Sequence, residues 1–261
     1  MSFADKVALV TGAGSGLGKA AATRLAAKGC AVGVLTHTAD EAAQVVQEIQ
    51  AAGGKALALT ADVANEDAMK GAVADLVREF GRLDYLFANA GINGVWAPID
   101  EIGPDEWDRT IATNLRGTFL TLHYGVPHLK RAGGGAVVIT SSVNGTRIFS
   151  NAGATAYSCT KAAQLAMAKM QALELAKFRI RVNVICPGAI ETNIEESTQK
   201  RDSDVAGEPV DYPQGKIPLT DGAPGTAEDV ADLVLFLLSD KAKHITGTPV
   251  WIDGAESLLM G

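Results

Sequence analysis

Short apolar runs alternate with amphipathic stretches along the whole chain. Strand candidates fall at 6–11 (KVALVT), 31–35 (AVGVL), 55–60 (KALALT), 84–89 (DYLFAN), 136–141 (AVVITS), 181–186 (RVNVIC) and 249–253 (PVWID). Helical patterns lie between them at 16–28, 39–52, 65–80, 105–131, 156–178 and 226–239. The early strands are nearly continuous apolar runs, as expected of strands covered on both faces. This alternation predicts an α/β fold, a doubly wound, mostly parallel seven-stranded sheet with helices on both faces. Right-handed crossovers would bring the C-terminal strand ends to one edge, where ligands bind. The stretch 191–225, rich in Pro, Gly, Asp and Glu, breaks the pattern and reads as a lid.

Composition narrows the function classes. A chain of 261 residues with 47% hydrophobic content supports one core, so residues 1–261 are expected to form a single domain. Aromatics at 5% and 28 glycines favour tight strand-to-helix turns over an aromatic-rich sandwich. A net charge of −7 without a basic cluster argues against nucleic acid and anionic membranes as partners. MSFADKVALVT enters a strand at once, leaving no room for a signal peptide, and VADLVLFLL carries Asp232 and is too short to span a bilayer. A cytoplasmic protein is expected. Cys30, Cys159 and Cys186 lack any Cys-x-x-Cys pattern and read as small hydrophobes in a reducing compartment. The four histidines show no metal-ligand spacing, and Pro127 interrupts the pair His123 and His128, so no metal site is expected.

Two chemical patterns stand out. KVALVTGAGSGLGKAA is a strand, a glycine-rich turn and a helix start, with Gly12, Gly16 and Gly18 spaced Gly-x-x-x-Gly-x-Gly. Such a turn lets the backbone approach a pyrophosphate, with the free N–H groups of a helix N-terminus beside it. Tyr157 and Lys161 stand one helical turn apart in AYSCTKAAQ, so a phenol and an ammonium share a face. A nearby cation favours the phenolate and draws a pKa of about 10 toward the working range. Tyr212 and Lys216 repeat the spacing, but Pro213 and Gly215 lie between them and disfavour a helix.

Taken in order, these motifs resemble the short-chain dehydrogenase/reductase (SDR) family over nearly the whole chain. Thr11 to Gly18 is similar to its Thr-Gly-x-x-x-Gly-x-Gly, and Asn89-Ala90-Gly91 to its Asn-Ala-Gly, although Ala88 stands where a second Asn is common. Asp62-Val63 matches the pair that contacts adenine, and Pro187-Gly188 the turn after the sixth strand, with Thr192 where the family binds the nicotinamide carboxamide. Asn114, Ser142, Tyr157 and Lys161 match the catalytic set, with Ser141 a lesser alternative to Ser142. The resemblance implies a Rossmann-type domain that binds NAD(P)(H) through Thr11, Gly12, Ser15, Gly16, Leu17, Gly18, Thr36, His37, Asp62, Val63, Asn89, Ala90, Gly91, Tyr157, Lys161, Pro187, Gly188, Ile190 and Thr192.

The resemblance also implies roles. Tyr157 is the acid–base, and Lys161 lowers its pKa and bonds the nicotinamide ribose. Ser142 holds the substrate oxygen, and Asn114 holds a water leading to Lys161. From its residue type alone Asn114 reads as a helix-interior Asn that bends the backbone. The segment between Ser142 and Tyr157 is about two residues longer than in typical members, which places Arg147, Ile148, Phe149 and Asn151 as candidates to shape the substrate pocket. Thr36 stands where NAD-preferring relatives carry Asp, and His37 is available to a 2′-phosphate, which tilts the expectation toward NADP(H). Ser15, where many NADP-preferring relatives have a basic residue, keeps that tilt slight.

The lid carries Glu191, Glu195, Glu196, Asp202, Asp204, Glu208 and Asp211 against Lys200 and Arg201, with Trp96, Ile194 and Tyr212 as apolar surface. A neutral ketone, alcohol or sugar-like substrate suits it. The Ala-rich helix 156–178, with Met167, Met170 and Leu173, permits close helix packing, and the resemblance implies a homotetramer. The expected activity is NAD(P)(H)-dependent interconversion of a secondary alcohol and a ketone. The alternatives are a 3-oxoacyl thioester reductase, disfavoured by the acidity, and a non-catalytic NAD(P)-sensing regulator, disfavoured by the complete catalytic set.

Overall fold

Five-residue β1 (Val7–Thr11) shows how the core is built: its side chains alternate between two faces, and all are buried. Val7 and Leu9 join one apolar cluster, and Ala8 and Val10 join the other. The computed structural model describes residues 3–202, 207 and 216–260. Tyr212, Pro213, Gly215, Asp204, Glu208 and Asp211 lie outside the described residues.

The main sheet continues with β2 (Ala31–Thr36), β3 (Lys55–Thr60) and β4 (Tyr85–Ala88). A short β5 (Gly94–Trp96) leaves the sheet before β6 (Gly135–Thr140), β7 (Ile180–Pro187), the separate β8 (Thr198–Lys200) and β9 (Pro249–Ile252). The seven main strands run in the order β3-β2-β1-β4-β6-β7-β9, and every pairing is parallel. This is the expected doubly wound, Rossmann-type architecture. The order reverses between β1 and β4, so the crevice at the C-terminal ends of those strands is where a ligand belongs.

Helices cover both faces. Met69, Val73 and Leu76 of α3 (Glu66–Phe80), Leu120 and Leu129 of α5 (Gly117–Arg131) and Leu175 of α6 (Thr155–Ala176) pack with Leu9, Leu86 and Val137. On the opposite face Leu25 of α1 (Gly16–Ala27), Val45 and Ile49 of α2 (Ala39–Ala51) and Val234 and Leu238 of α7 (Ala227–Leu238) pack with Val10, Val32, Phe87 and Val138. Two short helices complete the set: α4 (Pro104–Ile111), just before α5, and α8 (Glu256–Met260), after β9.

Three departures from the sequence pattern bear on the site. The expected helix 105–131 is interrupted: a π-helical turn, Ala112–Arg116, separates α4 from α5. Pro127 is accommodated inside α5. The start of the expected lid is ordered as a 3₁₀ turn (Asn193–Ser197) and β8, which pairs with β5 in parallel. Among the described residues no helix is long and apolar enough to cross a membrane.

Candidate active site

The glycine turn and the Asn89-Ala90-Gly91 segment form one hydrogen-bonded unit. Thr11 Oγ1 accepts the N–H groups of Asn89 (3.0 Å) and Ala90 (3.1 Å), while Asn89 Nδ2 donates to the Thr11 carbonyl at 3.2 Å. Thr140 Oγ1 donates to Asn89 Oδ1 at 3.0 Å, tying in β6. Gly12 (φ +65°) and Gly16 (φ +48°) adopt the left-handed conformation that glycine tolerates best. A Cβ at Gly18 would collide with the Gly12 carbonyl, so the helix starts close against the turn. Ser15 caps α1 from extended backbone and makes no side-chain cap bond, which leaves the first-turn N–H groups available to an anion. Leu17 packs into the core below.

At the far end of the crevice Val63 is buried over Gly117, and exposed Asp62 accepts the Ala64 N–H at 2.9 Å. His37 is exposed. Thr36 Oγ1 donates to Glu41 Oε2 at 3.1 Å. At the near end Gly188 donates to the Ile252 carbonyl (3.1 Å), and Ile190 bridges to Gly225 beyond Pro187. Thr192 caps the 3₁₀ turn, and a Cβ at Gly16 would lie 3.4 Å from its methyl carbon, so the segment after β7 closes over the glycine turn. Gly91 faces Asn114 and Lys161: a Cβ there would lie 3.2 Å from Asn114 Oδ1 and 3.6 Å from Lys161 Nζ. The glycine cradle, free N–H groups and hydroxyls along this line fit a dinucleotide.

Tyr157, Lys161 and Ser142 meet at the C-terminal edge of β6. Tyr157 is 7% and Lys161 2% exposed, both on the inner face of α6. Burial pushes the Tyr157 phenol up to about 12; a hydrogen bond with Ser142 opposes this, and Glu195 of the 3₁₀ turn adds to it. Burial also draws Lys161 down to about 8, with a smaller opposing effect from Cys186. Lys161 Nζ donates to the Thr140 carbonyl at 2.9 Å. Burial is thus the largest influence on both groups, and it opposes the charged form of each. The neighbouring serines divide their work: Ser141 Oγ donates to the Lys161 carbonyl (2.7 Å), and Ser142 stands beside Tyr157 and accepts the Asn144 N–H at 3.1 Å.

Asn114 sits in the π-helical turn, fully buried. Its Oδ1 accepts the Ile92 N–H (2.8 Å), and its Nδ2 donates to the Ile92 carbonyl (2.9 Å) and Thr160 Oγ1 (3.1 Å). The widened turn matches the bent-helix reading of this residue. Its carbonyl accepts from Gln164 Nε2 at 2.9 Å. Gln164, one turn beyond Lys161, was not anticipated, because a glutamine in an Ala-rich helix reads as a solvent-facing residue.

The Trp96 ring lies 6.5 Å from that of Tyr157, with Lys200 Nζ 5.3 Å above Trp96. Arg201 fixes this arrangement, donating to Glu106 Oε1 (2.7 Å) and Oε2 (2.8 Å) and to the Glu101 carbonyl (2.7 Å). In the lengthened loop Arg147 does not turn to the cleft: it stacks 3.6 Å over the Trp251 ring. Ile148 is buried, Asn151 donates to Asn144 Oδ1 at 2.6 Å, and Phe149 is 76% exposed.

The family model for short chain dehydrogenase matches residues 6–203. A cyclohexanol dehydrogenase from Acinetobacter sp. (strain SE19) is 40% identical over 97% of this chain and 95% of its own. A crystal structure described as a 3-ketoacyl-ACP reductase from Sinorhizobium meliloti 1021 superposes with a TM-score of 0.94 at 58% identity, covering 97% of this chain and 99% of that one. A 3-ketoacyl-(acyl-carrier-protein) reductase from Brucella melitensis, complexed with NADH, gives 0.86 at 32%, covering 98% and 100%. Fold, motif order and these likenesses agree, and the chain belongs to the short-chain dehydrogenase family.

Proposed function

We propose that this NAD(P)(H)-dependent oxidoreductase interconverts a neutral cyclic secondary alcohol and its ketone. The observation that carries the reading is the Ser142–Tyr157 contact at the base of a cleft walled by Trp96, 6.5 Å from the Tyr157 ring. A bound nicotinamide dinucleotide supplies the hydride acceptor or donor. Tyr157 gives its phenolic proton to the carbonyl oxygen in reduction, or takes the hydroxyl proton in oxidation. Ser142 Oγ holds that oxygen and shares the charge that develops on it. Lys161, anchored on Thr140, and Asn114, anchored on Ile92, keep the polar base of the cleft in register. Trp96 excludes water and offers a flat apolar wall to a ring. The name of the Acinetobacter relative, a cyclohexanol dehydrogenase, supports a ring alcohol.

The Sinorhizobium structure's description, at 58% identity, supports a second reading, 3-oxoacyl thioester reduction. A carrier-protein substrate needs a basic docking surface, and a net charge of −7 disfavours it. The exposed Met170 and Leu173 on α6 support assembly into the tetramer implied by family resemblance, and the free cysteines suit a cytoplasmic setting. The test is a panel of cyclohexanol, larger ring alcohols, sugars and an acetoacetyl thioester, each followed by absorbance of the reduced nicotinamide. Ring substrates should give the highest kcat/KM. A thioester preferred by more than about tenfold would replace this reading with the second.

A further inference from the structure

The π-helical turn Ala112–Arg116 departs from regular helix and has to be held open; such turns gather at functional sites. One hold is the side-chain amide of Asn114, which exchanges two hydrogen bonds with the backbone of Ile92. The other comes from α6. Gln164 Nε2 donates to the Asn114 carbonyl at 2.9 Å and to Thr118 Oγ1 at 2.8 Å. Thr118 Oγ1 donates onward to the same carbonyl at 2.8 Å. Two side-chain donors therefore converge on one backbone oxygen of the turn.

These partners fix which way the Gln164 amide faces. Turned over, its oxygen would meet the Asn114 carbonyl and a hydroxyl whose proton is already directed there. In the orientation observed, Gln164 Oε1 makes no hydrogen bond among the described residues, although the residue is only 1% exposed. An orphaned acceptor costs stability, and a methionine or leucine would fill this position without it. The donor end is thus the part of this side chain that the site uses.

Asn114 Nδ2 also donates to Thr160 Oγ1 (3.1 Å), which in turn donates to the Tyr157 carbonyl at 2.6 Å. Thr160 and Gln164 therefore bracket Lys161 on the inner face of α6, each bonded to Asn114. Asn114 Oδ1 and Lys161 Nζ border the same point, 3.2 Å and 3.6 Å from where a Gly91 Cβ would stand. A shift of the turn along α6 would move one against the other.

We infer that Gln164 is a positioning residue for hydride transfer, clamping the π-helical turn so that Asn114 and Lys161 keep their mutual placement. The kinetic consequence rests on the proposed function; the clamp rests on the bonds from Gln164 to Asn114 and Thr118.

Two variants test it. Gln164→Met keeps the bulk and removes the donor, and Gln164→His returns an N–H at a similar reach. Steady-state cyclohexanol oxidation, Tm and amide hydrogen exchange over residues 112–118 are measured on both and on the wild type. Gln164→Met should lower kcat by about tenfold to a hundredfold, with the alcohol KM and the Kd of NADH within about twofold. Its Tm should stay within about 4 °C of the wild type, because the lost bonds and the removed orphan offset each other. Exchange over 112–118 should speed up by about tenfold, with the other elements unchanged. Gln164→His should recover most of the lost kcat and of the protection. Wild-type kcat and unchanged exchange in Gln164→Met would overturn the inference. So would kcat and Tm falling together without recovery in Gln164→His, the mark of a packing role. Should Gln164→Met not fold, Gln164→Leu is read by the same criteria. A wild type that turns over no alcohol or ketone would instead overturn the proposed function, and the exchange comparison then decides the clamp by itself.

Discussion

Lys161 Nζ stands 5.3 Å from the centroid of the Tyr157 ring and gives a hydrogen bond to the Thr140 carbonyl. Both side chains come from one face of α6, and both are removed from water. Burial opposes each group's charged form, raising the phenol and lowering the ammonium. The pair is therefore held at a cost to stability.

That cost can be measured. Lys161 titrates near 8 in the folded protein, below its ordinary value, so the folded state releases this proton before the unfolded chain does. The penalty for burying the charge is fully present below about 8 and fades as pH rises toward the unfolded value. Lys161→Met should raise or preserve Tm at pH 7 while lowering kcat for alcohol oxidation by about a hundredfold or more. Its Tm advantage over the wild type should shrink between pH 8 and pH 10, as the buried lysine discharges. A Tm that falls with the activity would show a structural role instead.

Adjacent serines should separate cleanly. Ser142→Ala removes the hydroxyl beside Tyr157 and should lower kcat/KM by about 10- to 1000-fold, with a stability loss of about 1–2 kcal/mol from the Asn144 N–H it leaves unpaired. Ser141→Ala removes a buried bond to the Lys161 carbonyl and should cost about 1–2 kcal/mol of stability. Steady-state kinetics on both variants distinguish them; a larger kcat/KM loss in Ser141→Ala would reassign the substrate anchor.

Arg201 ties the residues just after β8 to α4 through Glu106. Arg201→Ala should raise KM for the ring substrate and leave the Kd of the reduced cofactor unchanged, since the contact lies beside β5 and Trp96 rather than the glycine turn. An altered cofactor Kd with an unchanged KM would place the latch on the other ligand.

Much of this was legible in the chain because the signals are local. The glycine turn, the buried parallel strands and the Tyr157–Lys161 turn each follow from spacing within one element. The misses involve long-range partners or competing local rules. The π-helical turn at Asn114 exists because its amide engages Ile92, 22 positions earlier, while helix periodicity runs on without a mark. Strands β5 and β8 have three residues each, too few to show alternation. Arg147 pairs with Trp251, far along the chain, and so leaves the pocket it was expected to shape.

The most direct test of the account is single-turnover hydride transfer from a ring alcohol to saturating NAD in the wild type and in Tyr157→Phe, with the Kd of NADH measured on both. The phenylalanine keeps the ring against Trp96 and removes only the hydroxyl. Loss of about a hundredfold to ten-thousandfold in the transfer rate, with the cofactor Kd unchanged, is the expected result. A transfer rate within about threefold of the wild type would contradict the assignment of Tyr157 as the acid–base.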